Sequence, residues 1–207
     1  MSGNVTNGTV NGTSANGTAV NVSGTATVNG TEVSGSSTNG TGVELAGNVS
    51  NSNVTGQGNT AGVNVSGNVT NGSVNGTSAN GTAVNVTGTA SVNGTQVSGN
   101  ATNGTGVELA GNVSNSNVTG QGNTAGVNVS GNVTNGSVNG TSANGTAVNV
   151  TGTASVNGTE VSGNATNGTG VELAGNVSNS NVTGQGNTAG VNVSGNVTNG
   201  TVNGTSA

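Results

Sequence analysis

The chain is 207 residues long, has no Lys, Arg, His, Asp, Cys, Pro, Phe, Tyr or Trp, and draws its net charge of −5 from five Glu. With no cation to meet a phosphate, nucleic acid and anionic membrane are set aside as partners, and no apolar run approaches the ~20 residues that cross a bilayer. Many small polar residues would suit disorder, but the low charge and the regular spacing of the valines argue for an ordered all-β chain.

The first residues, Met1-Ser2-Gly3-Asn4, carry neither the basic nor the apolar region of a signal peptide. They match the tail of a 64-residue repeat, with Met where Val would stand. The copies span 5–68, 69–132 and 133–196, and a fourth begins at 197–207, so the whole of 1–207 reads as a single repeat array. The second and third copies differ only at Gln96 against Glu160. An engineered consensus repeat would show the same near-identity. Because the pattern starts and stops without a polar cap, the expectation is a window of a longer array, or a subunit whose ends stack on others.

Val63 to Thr70 shows the local pattern most plainly. Val63, Val65, Gly67 and Val69 take every second place, with Asn64, Ser66, Asn68 and Thr70 between them. Period two predicts a strand with one buried and one polar face. Equivalent triplets begin at Val84, Val107, Val127 and Val148, spaced by 23, 20 and 21 residues. Each is followed by a lone Val (Val92, Val113, Val133), four turn-prone residues, and a further Val (Val97, Val118, Val138). Five residues from valine to valine flips their parity, which lets a chain turn a corner with its valines still inside. Asn-Gly and Ser-Gly pairs mark the remaining corners, since Gly and Asn accept positive φ.

Asn-Gly between strands also suits an antiparallel meander. Recurrence every ~21 residues instead favours a parallel β-solenoid of about ten rungs, three rungs per 64-residue repeat, in a rod near 47 Å long at ~4.8 Å per rung. The glutamates agree. As one flat layer per 64-residue copy, Glu44, Glu108 and Glu172 would stack directly and repel. With ~21-residue rungs they lie three rungs apart, roughly 14 Å, and Asn64, Asn85, Asn128 and Asn149 stand between them as hydrogen-bonding neighbours. Two to four valines per rung do not by themselves offset the ordering of ~21 residues. Repetition, parallel ladders and stacked Asn must supply the rest.

Asn-x-Ser/Thr occurs eleven times in the second copy, including candidate N-glycosylation acceptors Asn71, Asn75, Asn80, Asn85 and Asn93. A chain of this composition generates the motif automatically, and sugars on every rung would collide. Attached glycans therefore compete with stacked Asn amides as the use of these residues. The Glu residues have no His, Cys or Asp beside them in the sequence to complete a metal site or a carboxylate pair. Ser and Thr are abundant, but without His, Lys or Asp no triad-type nucleophile can be assembled. No catalytic residue, metal or cofactor is expected, and the chain is not read as an enzyme.

Thr87-Gly88-Thr89 and its copies suggest a flat hydroxyl face, an arrangement resembling ice-binding β-solenoids, and hence an alternative function as a surface-binding module for ice or glycan. A second resemblance lies in Val118-Thr-Gly-Gln121-Gly122-Asn123-Thr-Ala125, which is similar to the Gln-Gly-Asn-x-Ala core of curlin repeats. Gln57, Gln121 and Gln185 hold the Gln place, one rung in three, while the second Gln and the aromatics of that family are missing. The resemblance implies an extracellular, self-stacking functional-amyloid subunit. The expected function is accordingly structural: an extracellular filament or matrix fibre, a homopolymer built by end-to-end stacking of β-rungs.

Overall fold

The computed structural model describes residues 1–25, 27–88, 91–152 and 155–207, and among them every regular element is a strand. Val69–Thr70, Ser73–Ser78 and Thr82–Val86 form one three-sided coil. The next coil repeats it as Val92–Asn93, Gln96–Ala101 and Thr105–Leu109. Stacked coils make three parallel sheets. Sheet 1 has ten two-residue strands, sheet 2 ten six-residue strands, and sheet 3 nine strands, almost all of five residues. The chain is thus a parallel β-solenoid of nine full coils, with two strands of a tenth.

Register follows the valines. In sheet 1, Val69 pairs with Val92, Val92 with Val113 and Val113 with Val133. These are steps of 23, 21 and 20 residues that sum to one 64-residue repeat. Sheet 3 makes the same steps in a different order, as Val84 pairs with Val107, Val107 with Val127 and Val127 with Val148. The exchange of 20 and 21 arises because the turn after Gly122 is one residue shorter than its neighbours, as the strand bounds show. The 23-residue step carries two extra residues in the segment 87–91, between sheets 3 and 1.

The core is a column of valines. In the coil starting at Val69, the side chains of Val69, Val74, Val84 and Val86 are buried, and Leu45, Leu109 and Leu173 fill one position per repeat. Sheets 2 and 3 approach most closely where sheet 2 carries Gly on every coil. A Cβ on Gly76 would strike the Ala83 carbonyl and the Val84 methyl, and one on Gly120 would strike the Gly126 carbonyl. Facing them in sheet 3 stand Gly62, Ala83, Gly106 and Gly126. Backbone therefore packs on backbone in this layer, an approach only glycine permits.

The parity flip is seen at the corner between sheets 1 and 2. Val92 and Val97 are both buried, as are Val113 with Val118 and Val133 with Val138. One residue at each corner takes positive φ, between 50° and 62°: Asn in seven coils and Gly in Gly30, Gly94 and Gly158. Just after it, buried hydroxyls tie successive coils together. The Thr95 N–H donates to Ser116 Oγ (3.0 Å), Thr95 Oγ1 donates to the Asn93 carbonyl (2.9 Å), and Ser116 Oγ donates to the Ser114 carbonyl (2.7 Å).

Val63 to Thr70, which alternation alone predicts as one strand, is divided between two. Ala61–Val65 lies in sheet 3 and Val69–Thr70 in sheet 1, with a corner at Ser66–Asn68. Alternation survives because this corner keeps parity. Ser66 N–H donates to the Leu45 carbonyl, Asn68 N–H donates to Asn48 Oδ1, and Gly67 lies against the Gly47 backbone where no Cβ would fit.

Candidate functional surfaces

The five candidate acceptors do not converge. Asn71 is exposed at a positive-φ corner, and Asn75 is exposed on the outer face of sheet 2. Asn80 lies at the turn between sheets 2 and 3, inside an amide ladder. Asn80 Nδ2 donates to Asn59 Oδ1 (2.6 Å), and Asn103 Nδ2 donates to Asn80 Oδ1 (2.9 Å). Asn85 is half-buried between Asn64 and Glu108 in sheet 3. Asn93 Oδ1 accepts from both Ser114 Oγ and Asn115 Nδ2. Two of the five, Asn80 and Asn93, are therefore held by side-chain ladders, while the Asn71, Asn75 and Asn85 carboxamides have no protein partner among the described residues. Asn75 is flanked in its column by Thr55 and Ser98, and the same position carries Asn again only three coils away, roughly 14 Å.

Sheet 3 places Glu108 beside Asn85 and Asn128, and Glu44 beside Asn21 and Asn64. The carboxylates thus stand three coils apart, with Asn between. The Asn amides do not bond them, however. Glu44 Oε2 accepts from the Thr18 hydroxyl (3.4 Å), whereas Asn64 Oδ1 and Asn128 Oδ1 are buried without a hydrogen-bond partner. Each orphaned oxygen belongs to the Asn one coil after a Glu. Sequence spacing gives the neighbour but not which end of the amide meets it. Among the described residues no three His, Cys, Asp or Glu side chains gather as metal ligands.

Thr87 lies at the corner leaving sheet 3, and Thr89 falls outside the described residues. The places equivalent to Thr87 in the adjoining coils are Ser66 and Ala110, each bonding back to the coil beneath it, so the hydroxyl row is interrupted. The broad polar face belongs to sheet 2, where outward residues such as Asn53, Thr55, Gln57 and Ser73, Asn75, Thr77 form three columns. Glu32 and Glu160 are its charges, with Gln96 at the equivalent place between them.

The last coil differs from those inside. Val197 and Val202 are 45% and 38% exposed, although the equivalent Val133 and Val138 are 1% exposed. Sheet 2 ends at Thr201–Ser206, whose outer edge has no partner strand. No protein-family model, curated protein or solved structure matches the chain.

Proposed function

We propose that the chain is a structural subunit of an extracellular filament, growing by the addition of one β-coil on another. The observation that carries this reading is the unbroken parallel register of all three sheets. Every coil offers its neighbour the same rows of N–H and C=O groups and the same column of valines. A coil at the end of such a stack would leave both uncovered. Unpaired strand edges template further strands, and a second copy supplies strands of matching pattern. Most of each coil is a strand–turn–strand unit, with Gln121 near the end of one strand and Asn123 in the turn, the unit that the resemblance to curlin-type repeats implies.

The composition suits material that persists outside a cell. With no Lys, Arg or aromatic residue in the sequence, proteases of trypsin specificity have no bond to cut and those of chymotrypsin specificity lack their preferred aromatic sites. Electron microscopy and fibre diffraction of the purified 207-residue chain test the proposal. Fibres that appear with rising concentration and give a ~4.8 Å meridional reflection are expected. A chain that stays monomeric at millimolar concentration defeats it.

A further inference from the structure

The turn from sheet 2 to sheet 3 has three residues in most coils, as at 38–40, 79–81 and 102–104, but two in every third, at 59–60, 123–124 and 187–188. The short turn draws the chain inward. At Gly58 a Cβ would strike the carbonyl oxygens of Ala61 and Gly40, and Gly122 is held in the same way by Ala125 and Gly104. No side chain can fill the step that results, so the longer turns above and below overhang a notch. It is lined by Ser36, Thr38, Gln57, Asn59, Thr77 and Ala79, and holds about 430 Å³. The same notch recurs around Gln121 with about 380 Å³ and around Gln185 with about 340 Å³. Successive notches are three coils, roughly 14 Å, apart on one edge of the rod.

Around Gln57 and Gln121 the lining carries no charged side chain; it presents hydroxyls, carboxamides and backbone beside the methyl groups of Ala and Thr. The Thr38 and Thr77 hydroxyls and the Gln57 carboxamide have no protein partner among the described residues. Such groups match a ligand that both donates and accepts hydrogen bonds and carries no charge. With no aromatic ring in the chain, there is no stacking platform to strengthen a single sugar contact. Each notch alone is therefore a weak site, and useful affinity requires several to be engaged by one molecule. The notches lie in line along the axis, so that molecule is a long one.

We propose that the notches form a periodic binding site for an uncharged polysaccharide running along the solenoid axis. The proposal needs the coil and not polymerisation, so it is tested on chain kept dispersed at low concentration. Wild-type chain is run in affinity electrophoresis against a soluble neutral β-glucan, with glucose and a polyanionic alginate as comparison probes. Retardation by the glucan is expected, with no effect of glucose at equal sugar mass. The triple variants Q57A/Q121A/Q185A and T77V/T141V/T205V alter exposed side chains, and each should weaken glucan binding by at least about tenfold, while Q121A alone weakens it only a few-fold. An unchanged melting transition shows that the variants remain folded. Absence of retardation by the neutral glucan overturns the proposal, as does equal binding by wild type and both triple variants. Preferential binding of alginate, or thermal hysteresis without glucan retardation, assigns the surface to a different ligand and overturns it too.

Discussion

A single positive-φ residue at each sheet 1–sheet 2 corner, Asn in seven coils and Gly in three, decides whether the coil can close. These residues sit at φ between 50° and 62°, where a side chain with Cβ is strained and only Gly or Asn is readily accommodated. At Gly94, one of the three glycine corners, a Cβ would lie 2.5 Å from Asn71 Oδ1. Asn71→Ala is expected to cost about 1–2 kcal/mol and Asn71→Gly much less. Gly94→Ala should cost about as much as Asn71→Ala, because it meets the same backbone strain and the atom its methyl would crowd is the end of the exposed Asn71 side chain, which can swing aside. Denaturant unfolding of the three variants would show the order; an Asn71→Ala as stable as wild type would refute the corner argument. The orphaned amide oxygens lead to a prediction of the opposite sign. Glu108→Gln gives Asn128 Oδ1 a neighbouring N–H, and Glu44→Gln does the same for Asn64. Each should stabilise by about 1 kcal/mol, the net worth of one hydrogen bond. Glu172→Gln is the control, because its partner Asn192 is exposed and not orphaned, and it should gain less. Equal gains at all three positions would point to simple relief of charge.

Strands and turns show which parts of the fold are written plainly in the residues. Valine spacing fixes the coil length and the three-coil repeat, and the five-residue interval from Val92 to Val97 fixes a corner with parity reversed. The corner at Ser66–Asn68 is not visible in the same way. It preserves alternation, so Val63 to Val69 reads as one strand although the chain bends within it. The glycine layer is hidden for a related reason. Gly76, Gly99 and Gly120 alternate properly with their strand neighbours, but nothing local reveals that a carbonyl from the opposite sheet fills the space where a side chain would be. The notches at Gln57, Gln121 and Gln185 were likewise out of reach, because they depend on a turn being one residue shorter than those stacked on either side. The glycine layer is the least tolerant element. Gly120→Ala drives a methyl into the Gly126 carbonyl, and should cost about 1–3 kcal/mol as an over-packed core does. Ser98→Ala, on the exposed face of the preceding coil, should be close to neutral. If thermal melts place the two together, the sheets are not in contact at this layer.

For the whole molecule, stability belongs to the stack. Each coil touches only its neighbours, so energies add along one axis. Excising 69–132 rejoins Asn68 to Val133 and recreates the natural sequence at the joint; the shortened chain should keep the same strand signature and a slightly lower melting temperature. Excising 69–91 removes one coil where 69–132 removes three, but brings Glu44 and Glu108 from three coils apart to two, so it should destabilise more per residue lost.

Charge governs the ends of the stack as well. All five charges are negative, so approaching subunits repel, while the ladders and uncovered valines act only at contact. Repulsion between exposed charges is screened beyond ~8 Å at 0.15 M salt and beyond ~30 Å at 0.01 M. If the chain polymerises as proposed, subunits at low salt meet a barrier before the strand edges come within reach. Light scattering should show fibre growth faster by several-fold at 0.15 M than at 0.01 M NaCl, and E32Q/E160Q, which neutralises the exposed carboxylates of sheet 2, should reduce that salt dependence. Growth that slows as salt rises would mean that attraction between charges, rather than in-register stacking of coils, joins the subunits.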